Sequence, residues 1–150
     1  MIRFGPSGNS ESFYEQGHKS SVEMPEWLRN IGLNAYEYQC SKGINIGEAT
    51  AGKIGEEAEK NGIFVSIHAP YYINLASGDI EKRNKSKAYI IDTLKVARNM
   101  GAKRIVIHTG SCSKISREWA LCTASVTLRE AIKDADEAGL GDITICPEVL

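Results

Sequence analysis

Short apolar runs of roughly five residues alternate along this chain with longer stretches of helical period. The runs are IRF at 2–4, AYEYQ at 35–39, FVSIH at 64–68, RIVIH at 104–108 and ITICPE at 143–148. Most are rich in β-branched or aromatic residues and close on turn residues, the pattern of a strand. Between them the spacing predicts helices. Pro25 suits the first turn of a short helix over 25–31, which Gly32 stops. A second covers 48–60 and ends at Asn61-Gly62. A third, 79–100, sets Ile90, Leu94 and Ala97 on one stripe before Gly101. A fourth, 116–138, sets Leu121, Ala124, Leu128, Ala131 and Ala135 on one face before Gly139. The segment 9–20 reads as a polar loop.

Strands alternating with helices predict an α/β domain with a parallel sheet. Two closures are open. A doubly wound dinucleotide-binding sheet carries G-x-G-x-x-G after a strand, and the GPSG at 5–8 does not match it. A (β/α)8 barrel needs about 250 residues. About five parallel strands and four helices in 150 residues therefore predict a partial (β/α)8 TIM barrel, a single incomplete domain over 1–150. No linker, low-complexity segment or charge block divides it.

The candidate chemistry lies at three strand ends. His68, His108 and Glu148 are 40 residues apart. Successive strand side chains point to opposite faces. Val65 and Ile67 oppose His68, Ile105 and Ile107 oppose His108, and Ile143 and Ile145 oppose Glu148. The aliphatics are expected to face the helices, and the two imidazoles and the carboxylate to face inward at one register and one parity. Two His and one carboxylate with an open position are the donor set of a catalytic zinc. In such barrels chemistry sits at the C-terminal ends of the strands. The bland alternative is three polar strand ends meeting water.

Composition narrows the function classes. A net charge of −1, with 25% charged and 42% hydrophobic residues, excludes a purely electrostatic nucleic-acid binder but not an enzyme with a local cationic groove. No run of about 18 apolar residues exists, so no membrane span is expected. No signal-peptide core is visible in MIRFGPSG. Cys40, Cys112, Cys122 and Cys146 form no C-x-x-C pair and are expected to be reduced thiols of a cytoplasmic protein. Cys146 shares the parity of Glu148, and burial as a small hydrophobe is the favoured reading.

The run HAPYYINLAS at 68–77 resembles a signature of the endonuclease IV family of AP endonucleases, which are xylose-isomerase-like barrels. His108 followed by Thr109-Gly110-Ser111, and Glu148 in Cys-Pro-Glu, resemble the family's next two motifs in order. Thr109 stands where the family usually has Pro, leaving that loop without the proline's constraint. The family's remaining metal ligands come from later strands that this chain does not contain. The resemblance implies up to three zinc ions in an intact enzyme. His68, His108 and Glu148 would be the metal ligands complete here, and Glu148 would also serve catalysis as a bridging carboxylate. It implies duplex DNA with abasic sites as partner, hydrolysis of the phosphodiester 5′ of the lesion, and Tyr71 and Tyr72 as DNA-binding residues in the minor groove. Read without it, Tyr71 and Tyr72 are a rim cluster.

Other features carry less. Lys82, Arg83, Lys85 and Lys87 read as a solvated helix face, with phosphate contact as the alternative. Glu37 and Gln39 share a parity and could reach the site as supporting groups. Gly5, Ser7 and Gly8 are expected to serve turn geometry, and His18 has no role. Two rivals to the nuclease remain, a metal-dependent sugar isomerase or epimerase on the same barrel and a non-catalytic half-barrel fragment. An open sheet with uncovered edges predicts self-association and little activity of this chain alone.

Overall fold

A computed structural model describes residues 2–112 and 115–148. The elements run α1 (Glu11–Glu15), a 3-10 turn (Ser21–Glu23), α2 (Met24–Asn30), β1 (Ala35–Gln39), α3 (Glu48–Asn61), β2 (Phe64–His68), α4 (Ile80–Asn99), β3 (Arg104–His108), α5 (Arg117–Glu137) and β4 (Thr144–Glu148). Local chemistry sets most of the boundaries. Ser20 and Glu23 form a capping box ahead of α2, and Pro25 lies in that helix's first turn. Asp79 and Ser116 cap α4 and α5 by accepting from the backbone N–H of Glu81 and Trp119. Gly62 ends α3 in the left-handed region, at φ 68°.

The four strands form one parallel sheet in the order β1-β2-β3-β4, as the alternation with helices requires. The segment 2–4 is not a strand of this sheet. It runs beside β1: Phe4 O accepts from Ala35 N at 3.1 Å, and Pro6 O accepts from Glu37 N at 3.1 Å. Only Ser7 and Glu37 make a bridge. The next rung would need a donor from the nitrogen of residue 6, and proline has none. Gly5 does more than shape a turn. A Cβ there would lie 1.6 Å from Ala35 O, so only glycine lets the segment approach β1. The loop expected over 9–20 contains α1, whose Phe13 is fully buried and meets Trp27 edge-on at 5.5 Å.

One face of the sheet packs on the helices. Val65, Ile67, Ile105 and Ile107 are buried there with Ile54 and Ala58 of α3 and Ile90, Leu94 and Ala97 of α4. Each fully buried aliphatic side chain contributes roughly 1.5–3 kcal/mol. The stripe expected on α5 is only half used. Ala131 and Ala135 are buried, but Leu121 is 70% exposed, because no described element covers the far side of this last helix. No helix among the described residues is long and apolar enough to cross a membrane.

Candidate metal centre

Packing the aliphatics outward leaves His68, His108 and Glu148 on the other face, at the C-terminal ends of β2, β3 and β4. Parity therefore holds, but the single register does not. His68 pairs with Val106, and His108 pairs with Glu148 two residues further along. That stagger is about 6.6 Å of strand, and the side chains close it. His68 Nε2 lies 3.3 Å and His108 Nε2 3.4 Å from the same oxygen, Oε2 of Glu148. All three donor atoms lie within 4.8 Å of one another.

The local bonding points the donors. His68 Nδ1 sits 2.8 Å from Ala69 O. A carbonyl oxygen only accepts, so the proton is on Nδ1. Neutral His68 then presents the lone pair of Nε2 to a carboxylate oxygen. That contact between two acceptors is favourable only with a cation or a further proton between them. In a tetrahedron with metal–ligand bonds of about 2.1 Å, neighbouring donors lie about 3.4 Å apart, close to both observed separations. The donor set suits a borderline metal ion such as zinc, and the two separations to Glu148 match such a site. His68 and His108 are 6% and 9% exposed, while the Glu148 side chain is 50% exposed, so the site is walled on the imidazole side and open on the carboxylate side.

Tyr71 and Tyr72 part company. The Tyr71 ring stacks on His108 at 5.4 Å and 28° and lies 5.7 Å from the His68 ring. It covers both imidazoles while remaining 54% exposed. Tyr72 is 59% exposed. Their loop is anchored by Ile73 and Leu75, both buried. Leu75 N donates to Thr109 O, Asn74 N donates to Ser86 Oγ, and Tyr71 N donates to Ser41 O. Thr109, in the place of the family's proline, makes a long hydrogen bond of 3.4 Å from its hydroxyl to Glu148 O, tying the ends of β3 and β4.

Glu37 and Gln39 lie on the same face as the triad, with Gln39 paired in register to His68. Glu37 accepts from Ser7 Oγ at 2.6 Å and Ser66 Oγ at 3.1 Å. The hydroxyls of Ser7 and Ser66 are partners that inspection of the sequence missed; the shared parity of Ser66 and His68 was the available signal. Three of the four basic side chains on α4 have partners within the chain, and Lys82 is exposed. Arg83 donates to Ser77 O, Lys87 pairs with Glu130 at 2.8 Å, and Lys85 lies over the Tyr89 ring. Hydrogen bonding to Lys87 holds the Glu130 carboxyl below its usual range. His18 has a role after all: its Nδ1 lies 3.1 Å from Glu23 and its ring stacks on Phe13. All four cysteines are free. Burial pushes the Cys40 thiol up to about 11, so it remains a thiol at neutral pH.

Residues 25–150 match the family model described as xylose isomerase-like TIM barrel. An uncharacterised protein of Methanocaldococcus jannaschii is 42% identical over 79% of this chain and 40% of its own length. A probable endonuclease 4 of Mycoplasmoides gallisepticum is 38% identical over 56% of this chain and 26% of its own length. Among solved structures, D-psicose 3-epimerase from Clostridium cellulolyticum superposes with a TM-score of 0.73 at 20% identity, over 96% of this chain and 48% of that one. Endonuclease IV from Thermus thermophilus does so with a TM-score of 0.60 at 24% identity, over 87% of this chain and 47% of that one. The chain thus spans less than half the length of these relatives, and at such identities the two structures speak for the fold alone. The parallel sheet and the match over 25–150 agree: this chain belongs to the xylose isomerase-like TIM barrel family.

Proposed function

We propose that this chain is the N-terminal part of a zinc-dependent AP endonuclease barrel, acting in the cytoplasm on duplex DNA with abasic sites and hydrolysing the phosphodiester 5′ of the lesion. The observation that carries the reading is the convergence of His68 Nε2 and His108 Nε2, from two strands, on Glu148 Oε2 of a third, at 3.3 and 3.4 Å. Its support from relatives is the similarity to probable endonuclease 4 proteins, 38% identical in the first of them. His68, His108 and Glu148 would hold one zinc. Bound there, zinc would neutralise phosphate charge and lower the pKa of a coordinated water. The chain's own residues do the rest. Ala69 O orients His68, the half-exposed Glu148 leaves the site open to substrate, and Tyr71 offers an aromatic face at its mouth. Tyr71 and Tyr72, exposed on an anchored loop, would meet the DNA where the missing base leaves a gap in the stack.

The test is nicking of an abasic-site duplex by the natural polypeptide that carries this chain. Activity should fall on prolonged chelation, and Glu148→Gln should lose most of it, because a carboxylate ligand becomes a neutral amide. Robust nicking by Glu148→Gln removes the proposed role. A second reading, a metal-dependent sugar isomerase or epimerase on the same barrel, would use the same two imidazoles and carboxylate. Interconversion of ketoses without abasic-site cleavage would select it.

The same reading makes residues 1–150 alone prone to self-association. The outer edge of β4 has no described strand beside it, and α5 exposes Trp119, Leu121, Val126 and Ile132. Such edges and faces pair with other chains.

A further inference from the structure

The two imidazoles of the metal centre are held by different means. A metal-binding histidine ordinarily donates its second ring N–H to a carboxylate, a carbonyl or water, and that bond fixes the plane of the ring. His68 follows the rule, with Nδ1 2.8 Å from Ala69 O. His108 does not. Among the described residues its Nδ1 makes no hydrogen bond, and its Nε2 only approaches Glu148 Oε2, at 3.4 Å. Rotation about the bond to an imidazole ring has broad minima, so burial alone does not set the plane. Other rings do so here. Tyr71 lies 5.4 Å from His108 at 28°, and His68 stands nearly perpendicular to it at 4.9 Å and 80°.

Tyr71 is itself held in place for this contact. Pro70, buried just ahead of it, has its φ fixed by the pyrrolidine ring. The Tyr71 N–H donates to Ser41 O at 3.1 Å. Ser41 has φ 42°, the only positive φ outside glycine among the described residues. Such strain persists only where the surrounding structure imposes it, and it clusters at active sites and ligand clamps. Beyond Tyr71, Ile73 and Leu75 are buried, and Leu75 N donates at 3.2 Å to the carbonyl of Thr109, the residue after His108. The loop is thus pinned on both sides of Tyr71, to the end of β1 and to the end of β3. Half-exposed as it is, the Tyr71 ring is not a core side chain. Its neighbour Tyr72 is exposed to a similar extent and makes no ring contact among the described residues.

We propose that Tyr71 is the positioning residue of His108, setting the plane of its imidazole by stacking as Ala69 O sets that of His68 by a hydrogen bond. The inference rests on the metal-centre reading and holds for a nuclease and an epimerase alike. The stack is made before any metal arrives, so its own energy cancels on binding. What the metal gains is a donor already ordered. Ordering a free side chain at the moment of binding weakens affinity about two- to tenfold. One face of Tyr71 is spent on His108, and the exposed remainder stays available at the mouth of the site.

The test is a zinc titration of the chelator-treated, histidine-labelled natural polypeptide that carries this chain, read by NMR at the ring Cε1–H signals of His68 and His108. Before zinc, the His108 signal should lie upfield, in the ring current of the stacked phenol, and Tyr71→Leu should remove that shift. Zinc should then bind at His108 about two- to tenfold more weakly in Tyr71→Leu. Tyr71→Phe, which keeps the ring and loses the hydroxyl, should restore the parental affinity, and Tyr72→Leu should leave it unchanged. A collapsed loop would disturb both imidazoles. Here His68, tied to Ala69 O, should keep the signal of an ordered ring, while that of His108 moves toward a freely turning one. The inference is overturned if Tyr71→Leu binds zinc as the parent does, if Tyr71→Phe is as weak as Tyr71→Leu, or if Tyr72→Leu weakens binding equally. If Tyr71→Leu does not fold, the metal-free parent decides, because a His108 signal at its unstacked position overturns the inference. Zinc that never reaches His108 in the parent sinks the metal centre and the nuclease reading with it. Parental zinc binding with an indifferent Tyr71→Leu sinks this inference alone.

Discussion

Zinc held by the triad would cross-link three strands, so it should stabilise the whole sheet, and the size of the effect can be worked out. A ligand that binds only the folded state at 100 times its Kd adds about 2.7 kcal/mol. For a chain of this size each kcal/mol moves Tm by about 2–4 °C, so zinc should raise Tm by about 5–11 °C. Loss of a group that merely orients a ligand weakens metal sites about 10–100-fold, and loss of a ligand should cost at least as much. At the same zinc concentration a 100-fold weaker variant keeps only about 0.4 kcal/mol of the gain, a rise of about 1–2 °C. His68→Ala and His108→Ala should therefore flatten the zinc response. Glu148→Gln should do so with a telling difference in sign. Without metal, its carboxylate faces an imidazole lone pair at 3.3 Å. An amide can donate to that lone pair, so at a pH where His68 is neutral the metal-free variant should be as stable as the parent or slightly more so, and at a pH where His68 is protonated it should be less stable, having lost an ion pair. The gain stays below about 1 kcal/mol because the contact is half-exposed. Differential scanning fluorimetry of chelated and zinc-loaded protein measures the zinc response of all four proteins. A full zinc-dependent rise in both histidine variants would refute the site.

Three further outcomes are expected. Hydrogen bonds from His18 and from the N–H groups of Ser20 and Lys19 hold the Glu23 carboxyl at about 2. A depressed folded pKa contributes stability above the unfolded value, about 4.3, that is lost as pH falls toward 2. Melting between pH 5 and pH 2 should thus show an acid-sensitive component that Glu23→Gln lacks; identical pH profiles would contradict this. Gly110 has φ 111°, and a Cβ there would lie 2.2 Å from Asn74 Oδ1. Gly110→Ala should cost roughly 1–3 kcal/mol in denaturant unfolding and loosen Tyr71 from His108; a neutral substitution would show that the loops are not clamped there. Finally, sedimentation of residues 1–150 should find dimers or larger species, and a stable monomer would mean that the exposed face of α5 needs no partner.

Much of this was legible in the linear pattern. Four strands and the longer helices follow from alternation, capping residues and glycine stops, all of which act within a few positions of one another. Parity did the same for the site: placing Ile67, Ile107 and Ile145 toward the helices obliges His68, His108 and Glu148 to face the other way. The interactions between distant segments were not legible. Pro6 looks like a turn residue until β1 lies beside it and the missing N–H breaks the ladder. Nothing local says that His108 sits two residues beyond the rung of His68, because parallel register is chosen by packing between segments some 40 residues apart. Tyr71 and Tyr72 are neighbours of one kind in sequence, yet the anchored backbone turns only the first onto the imidazoles. A cavity at the end of β1 is lined by Asn9 and Tyr14 from one segment and by Tyr38 and Ser41 from another, and side chains that meet only across a folded surface leave no periodic trace. The sequence alone determined the elements and which face of the sheet carries chemistry; the tertiary structure decided where along that face the donors converge and what surrounds them.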